Sequence, residues 1–387
     1  MKKQFSIKGF MSVLLISALL FCVGAAAGHE LAAGIGAAAY MGSAVLKPWL
    51  HTGNMSGISI SGINREIWQN HLIENIYPGN EFLLAMSDES EYVNYLTVHS
   101  PQAVGTPNVV KNRDLTVGTA VNTNTRVDVT LDWSIDEYTT DPFKITNAEE
   151  VQLSYNKRES ILYNQQMKLR KVIAENIIID LAATGTATLP ADYGGGTNNN
   201  ILRTSGIFNN DPANVQASVA YTAGATGNRL NVTLWDVAAA ATHLDNLDVP
   251  SEGRAMLMSS QAYAQLRLDL IATKYRDFTA EVDPKTGKIG KLLGFDLYMR
   301  SKVCVYDNSG TPVVKAYGAA GAATDNDAIL FWQFAHAAKA IGDVHVFETL
   351  NDATRYGDIY SALLRMGAHK VRVSEVGIGA IVQKASA

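Results

Sequence analysis

The chain has little cysteine: two residues in 387, Cys22 and Cys304. Neither a disulfide framework nor a cysteine-based zinc site can be built from them. It has no basic surplus either. Lys and Arg number 32 against 37 Asp and Glu, a net charge of -5, whereas a dedicated nucleic-acid binder usually carries an excess of cations. Histidine is sparse and scattered, at 29, 51, 71, 99, 243, 336, 345 and 369, and no pair has the i, i+4 spacing of a helical metal site. Apolar residues are plentiful, at 47% hydrophobic against 18% charged, so a sizeable core can be buried and wholesale disorder is excluded. At roughly 150 residues per domain, the length fits two or three domains or one large elaborated one.

Catalytic signatures are missing too. There is no Walker A sequence, no H-E-x-x-H, no C-x-x-C and no G-x-S-x-G. Gly57-Ile58-Ser59-Ile60-Ser61 lacks the second glycine of a nucleophile elbow. Gly34-Ile35-Gly36-Ala37-Ala38-Ala39 has dinucleotide-loop spacing, but no acidic partner stands about 20 residues on. Asp325-Asn326-Asp327 lacks the downstream glutamate of a calcium loop and reads as a polar turn. Glu149-Glu150 are explained by a helix cap rather than by acid/base work. Basic clusters are small, at Lys157-Arg158 and at 168–171, and the second reads as a solvated or inter-subunit helix face. The sequence therefore nominates no catalytic, cofactor-binding or metal-binding residue, and the expectation is a protein that is not an enzyme.

Residues 1–46 form an apolar leader. Lys2, Lys3 and Lys8 precede an uncharged run over 9–28, and Ala25-Ala26-Ala27 offers a cleavage pattern. Alone this is a secretory signal peptide or a single anchoring helix. An assembly tail that never meets a translocon, or translation starting at Met41 or Met55, competes with that reading.

The rest reads as an α+β chain. Residues 47–110 make an arm with a short helical piece lined by Ile63, Ile67 and Leu72, ended by Tyr77-Pro78-Gly79-Asn80; Pro101 and Pro107 keep the next stretch extended. In 111–143, Val127, Val129, Leu131, Trp133 and Ile135 alternate with Asp128, Thr130, Asp132, Ser134 and Asp136, the period-two pattern of a strand with one apolar face. Leu115, Val117 and Val121 mark a preceding strand and Asn122-Thr123-Asn124 a turn, giving an extended hairpin of roughly 30 Å. Its apolar face needs a partner, either its own domain or another subunit.

Residues 144–185 hold a long helix. Thr146-Asn147-Ala148-Glu149 is a capping box; Val151, Tyr155, Leu162, Leu169, Val172, Ile173 and Ile177 keep one face apolar; Gly185 stops it. Residues 186–330 form an α/β block, with a glycine-rich loop or hairpin at 194–200, helices at 233–247 and 260–273, a buried strand at 254–258, a strand pair across 291–306 and a short strand at Val313-Val314. Strand-like runs close the chain, at 328–334, 344–347 and 371–376 within a β-rich segment at 331–387; 356–366 is ambiguous.

That order of parts resembles the major capsid proteins of tailed bacteriophages, the HK97-like fold family. The local wording is similar as well. Thr140-Asp141-Pro142-Phe143-Lys144-Ile145-Thr146-Asn147-Ala148-Glu149 resembles the family's passage from extended loop into spine helix. Val249-Pro250-Ser251-Glu252-Gly253-Arg254, the strand after it and Ser259-Ser260-Gln261-Ala262-Tyr263 resemble its axial domain, as does Lys288-Ile289-Gly290-Lys291-Leu292-Leu293-Gly294-Phe295. The stretch 356–376 resembles the closing strands of the peripheral domain. The resemblance covers about 61–385.

It implies an N-terminal arm and an extended loop that reach neighbouring subunits, a spine helix on the peripheral sheet, and an inserted axial domain. It further implies self-assembly through hexamers and pentamers into an icosahedral shell around double-stranded DNA, without sequence-specific binding. Portal and scaffolding or decoration proteins would be the partners, the virion capsid the location and the host cytoplasm the place of assembly. The leader departs from the family, whose N-terminal scaffolding segments are charged and helical, and leaves membrane contact of that segment open. Two other readings stand beside this one. The leader by itself suggests a secreted or surface-anchored β-rich binding protein; the fold also serves an encapsulin-like nanocompartment shell with protein cargo.

Overall fold

The computed structural model describes residues 79–104, 111–112, 127–146, 157–190, 193–273 and 289–386. The chain divides into two units, 1–68 and 69–387, and the described residues all belong to the second. The leader, the helical piece at 63–72, the strand expected at 115–121 with its turn at 122–124, and the capping-box glutamate at 149 lie outside them.

In chain order the strands and helices are β1 (Ser87–Asp88), β2 (Val93–Asn94), β3 (Thr97–Val104), β4 (Val127–Ser134), β5 (Asp136–Thr139), β6 (Phe143–Thr146), α1 (Lys157–Leu181), β7 (Ile201–Arg203), β8 (Ala217–Val219), β9 (Asn228–Leu230), α2 (Leu234–Asn246), β10 (Arg254–Ser259), α3 (Ser260–Ala272), β11 (Gly290–Leu292), β12 (Phe295–Arg300), β13 (Cys304–Asp307), β14 (Val313–Lys315), β15 (Asp325–Gln333), β16 (Ala337–Asp352), β17 (Gly357–Lys370) and β18 (Ile378–Val382). One sheet runs β1-β16-β17, with β5 and β6 both pairing the far edge of β17. An eight-stranded sheet runs β11-β12-β10-β15-β13-β14, with β18 on β15 and β7 on β18. A ribbon joins β2, β3 and β4.

The eight-stranded sheet is an apolar sandwich. Every residue of β10 and of β15 is buried, the pattern of strands covered on both faces. On one face Val237, Ala240 and Leu244 of α2 and Ala262, Leu266 and Leu270 of α3 pack with Met256, Met258, Phe295, Leu297 and Phe331. Phe295 and Phe331 meet edge to face at 6.2 Å, a favoured aromatic geometry. Each helix starts on a side-chain cap. Thr233 and Asp236 form a reciprocal capping box on α2, and the Ser259 hydroxyl accepts from the Ala262 N–H on α3, satisfying amides that have no intrahelical acceptor.

On the five-stranded sheet, α1 presents Leu169, Ile173, Ala174, Ile177, Ile178 and Leu181, all buried, and packs on β17. The described 25 residues span roughly 37 Å at 1.5 Å per residue. Val172 does not share the buried stripe; it is exposed and lines a groove with Tyr138 and Phe143. Gly185 stands just beyond the helix with φ +69, where a Cβ would lie 2.8 Å from Ile201 Cδ1.

The segment read as arm supplies a strand to the ribbon: β4 pairs with β3, in register from Thr97↔Ser134 to Val104↔Val127. Pro101 sits in that strand opposite Thr130, where a missing N–H is tolerated at an edge. Asp325-Asn326-Asp327 is no turn: the three residues open β15 and are 2%, 2% and 6% exposed. The run 371–376 is turn, because Glu375 and Gly377 take φ +53 and +85, and the closing strand is β18. That strand pairs with β15 and β7, so the chain ends in the eight-stranded sheet rather than in the other one. Of the ambiguous stretch 356–366, Tyr356 is in the turn before β17 and the rest lies within β17.

Candidate functional site

Two places hold the parts together, and both are built from polar groups brought from far apart in the chain. The first is the root of the β3–β4 ribbon. Val98, Trp133 and Ile135 bury against Ala340 of β16, with Val93 and Leu96 alongside. The Glu89 carboxylate accepts the Ser100 hydroxyl at 3.2 Å with one oxygen and the Trp133 indole N–H at 3.1 Å with the other. Trp133 also stacks on His369, with centroids 5.5 Å apart and planes 18° from parallel. Glycine makes the approach possible: a Cβ on Gly367 would sit 3.1 Å from Ile135 Cα and 3.2 Å from the Trp133 ring, and one on Gly342 would sit 2.7 Å from Ile135 Cδ1. Both contacts are tighter than side chains normally allow.

Carboxylates gather on the open side of this root. Asp132, Asp136 and Asp180 line one concavity with Trp133 and His369. The Asp180 side chain reaches solvent, yet its carboxyl is pushed up to about 6, first by partial burial and then by the Asp136 charge, against the pull of Lys370. His369 is held below the ordinary histidine value by burial and by Lys370, so it is neutral at pH 7. Asp132 pairs across the ribbon with His99 at 2.7 Å.

The second place is the junction after α1. Glu375, 5% exposed, accepts four donors. Lys370 Nζ and the Thr184 hydroxyl reach Oε1 at 2.6 and 3.0 Å, while the Thr184 N–H and Asn200 Nδ2 reach Oε2 at 2.9 and 2.7 Å. Burial alone would raise its pKa, but Lys370, Thr184 and Asn200 overcome that and hold it below the ordinary glutamate value. Lys370 also donates to Ala182 O at 2.8 Å, and the Tyr306 hydroxyl donates to Ala183 O at 2.7 Å. The carbonyls just beyond the end of α1 are thus met by a cation and a hydroxyl. One carboxylate ties α1, β17 and the segment before β7, so it links the two sheets.

The remaining candidates fall in structural settings. Asp327 accepts Tyr221 OH at 2.7 Å and Ser259 Oγ at 2.6 Å, and burial lifts it to about 6 against those bonds. It borders a cavity of about 480 Å³ between the start of α3 and the loop after β14. Asp325 pairs with Lys315 at 2.7 Å and Asn326 accepts from Arg229. His336 Nδ1 lies 2.8 Å from Gln333 Oε1, and burial lowers that imidazole to about 4. His243 meets Phe331 edge on. Cys304 is buried and free, its thiol pushed well up by burial. His29, His51, His71 and Cys22 lie outside the described residues.

Among the described residues no group of three or more His, Cys, Asp or Glu has the geometry for a metal ion. No helix among them is long and apolar enough to cross a membrane. Sequence reasoning missed Glu375 and Glu89. The signal for Glu375 was a lysine five residues before it and Gly377 two after, a turn punctuation inside an otherwise strand-like run.

No protein-family model and no curated protein matches the chain. Solved structures do. The capsid of Ralstonia phage GP4 is similar at a TM-score of 0.50 and 14% identity, over 78% of this chain and 88% of that one. The capsid of cyanophage P-SCSP1u is similar at a TM-score of 0.49 and 17% identity, over 78% and 86%. At such identity the likeness speaks for the fold, and the fold is the α+β, HK97-like one of phage capsid proteins.

Proposed function

We propose that the chain is the major capsid protein of a tailed bacteriophage, assembling through hexamers and pentamers into an icosahedral shell around double-stranded DNA. The observation that carries this is the shared capsid fold over 78% of the chain. The anchored ribbon and the buried junction add to it, because a shell subunit needs a stiff body from which an arm can reach a neighbour. In this reading β3–β4 is the extended loop and α1 the spine helix. The five-stranded sheet forms the peripheral domain. The eight-stranded sheet with α2 and α3 forms the axial domain, to which β18 returns. At the far end of the β16–β17 hairpin Phe347, Leu350 and Tyr356 are 53%, 45% and 79% exposed, apolar surface of the kind that assembly covers.

The role is structural rather than catalytic. Portal and scaffolding or decoration proteins are the further partners, DNA is enclosed without sequence recognition, and assembly takes place in the host cytoplasm before the subunit resides in the virion. The leader at 1–46 is then an assembly or membrane-contact segment, or is not translated.

Negative-stain electron microscopy with light scattering on the full chain and on a chain starting at Met55 tests this. Closed, uniform particles are expected, holding nuclease-protected DNA when purified from infected cells. A monodisperse monomer from both, with the longer one processed near Ala27 and exported, would promote the secreted binding protein. Particles filled with protein cargo would point to the nanocompartment.

A further inference from the structure

A groove of about 610 Å³ runs beside the middle of α1, and cations dominate its lining: Lys168, Arg170 and Lys171 from the helix and Arg300 from the end of β12. Its neutral polar residues, Asn80, Asn164 and Ser301, are amides and a hydroxyl that can donate. Among the described residues no acid lines it. Glu175 stands 4.0 Å from Lys171 and Glu81 accepts the Gly79 N–H at 2.8 Å, both outside the lining. A chain with a net charge of -5 thus keeps one concave surface lined by cations without a carboxylate.

The groove is preformed. Asn80 Nδ2 donates to Arg170 O at 3.3 Å and Arg300 Nη2 to Lys171 O at 3.4 Å, so two segments from elsewhere in the chain are fixed to consecutive carbonyls of α1. Arg300 Nη1 is buried and has no acceptor among the described residues, and a guanidinium short of an acceptor favours an incoming oxyanion. Lys168 is exposed, and Lys171 keeps 71% of its side chain in solvent. Two exposed ammoniums in front of a half-buried guanidinium suit phosphate oxygens, which take lysine as a point charge and arginine as a fork. The sequence alone shows the lysines of 168–171; Asn80 and Arg300 arrive only with the fold.

We propose that this groove holds the phosphodiester backbone of the enclosed double-stranded DNA, so that this side of α1 faces the inside of the shell. The proposal rests on the shell reading and adds which surface the genome touches. Contacts to phosphate carry no sequence information, in keeping with enclosure without recognition. They also bridge α1 and the end of β12, so DNA in the groove draws the two sheets together. The competing occupant is a carboxylate of a neighbouring copy. A DNA strand presents about one phosphate per 3.4 Å of helix axis, enough to meet Lys168, Lys171 and Arg300 together, which one carboxylate side chain does not.

The test is fluorescence anisotropy of the full chain with two short duplexes of unrelated sequence, over a range of salt, with folding monitored by circular dichroism. Equal affinity for the two duplexes is expected. K168Q/K171Q is expected to weaken binding at least ~10-fold at low salt and to flatten the plot of log affinity against log salt by about 1.8, two phosphate contacts at about 0.9 each. K291Q/K384Q removes the same charge from exposed lysines of the eight-stranded region and is expected to leave the slope unchanged, which separates the groove from net charge. Equal slopes for wild type and K168Q/K171Q overturn the inference, as does binding of inorganic phosphate alone with no duplex bound. A folded, nuclease-treated K168Q/K171Q that forms no shells where wild type does also overturns it, making the groove a contact between copies.

Lysine acetylation of the wild-type chain with and without duplex needs no variant to fold. Lys168 and Lys171 are expected to be shielded by the DNA while Lys291 and Lys384 stay reactive, and four lysines that react alike in both states contradict the proposal. A wild type that never assembles refutes the shell reading itself, a result distinct from shells whose groove lysines ignore DNA.

Discussion

The eight-stranded sheet and the five-stranded sheet are held by different means. The first is held mainly by apolar packing: β10, α3, β11 and β12 succeed one another in the chain and bury a shared cluster under α2 and α3, and β18 returns to the same sheet to pair β15 and β7. The second is assembled from distant pieces. Ser87 Oγ bonds Ala337 O across 250 residues, and Thr140 and Ala362 exchange bonds across 222. Its joints are small residues and shared carboxylates, namely Gly342 and Gly367 under Ile135, Glu89 on Ser100 and Trp133, and Glu375 on four donors. A core of apolar side chains tolerates a neighbour's adjustment, while a joint of this kind depends on each member. The sheet that closes over long loops also carries the ribbon and the exposed apolar hairpin end, the parts proposed to meet other subunits.

The largest effect is expected where the two sheets are tied. Glu375→Ala should cost about 3–5 kcal/mol, since Lys370 is left buried without its carboxylate, and chemical denaturation should show the two sheets losing cooperativity. Glu375→Gln should instead flatten the acid limb. With its folded pKa below the ordinary value, Glu375 stabilises above that value, and the contribution is lost as pH falls through the folded pKa; a glutamine has none to lose.

Leu244→Ala, in the apolar cluster under the eight-stranded sheet, should cost about 3 kcal/mol and shift the whole denaturation curve without uncoupling the sheets. A curve that split in two would erase the contrast between the two sheets. Gly367→Ala should cost about 1–3 kcal/mol through overpacking on Ile135 and Trp133. Hydrogen exchange should then rise in β3 and β4 while β10 and β15 keep their protection; equal loss in both would show that the ribbon root is not a separate joint.

The smallest effect is a slope. Asp327 has a folded pKa near 6, above the ordinary aspartate value, so its charged form opposes folding. Wild-type stability should gain a contribution as pH falls through 6, complete below the unfolded pKa. Asp327→Asn should lack that gain while keeping an acceptor for Tyr221 and Ser259, and identical slopes between pH 7 and 4 would contradict the assignment.

This contrast also governs how much was legible in the sequence. In the eight-stranded region the readings at 233–247, 254–258 and 260–273 match α2, β10 and α3 within a residue or two, because caps and continuous apolar runs are local signals. The pairing of β4 with β3 was not foreseen, since β3 lies in a stretch read as an extended arm and nothing in the sequence reports which distant strands meet. The run at 371–376 alternates like a strand, yet Glu375 is captured by Lys370, Thr184 and Asn200, and that capture turns the backbone. Asp325-Asn326-Asp327 looked like a turn because three polar residues rarely open a buried strand; Lys315, Arg229, Tyr221 and Ser259 make it possible, and they come from elsewhere in the chain. The acidic concavity at the ribbon root was not legible, because it needs Asp132, Asp136 and Asp180 folded together.

The most direct measurement is cryo-electron microscopy of particles assembled from the purified full chain. The account predicts closed shells in which the β3–β4 ribbon and α1 lie at contacts between neighbouring subunits. A monomer that does not assemble at any concentration, or a shell whose subunits leave the ribbon and α1 facing solvent, would contradict it.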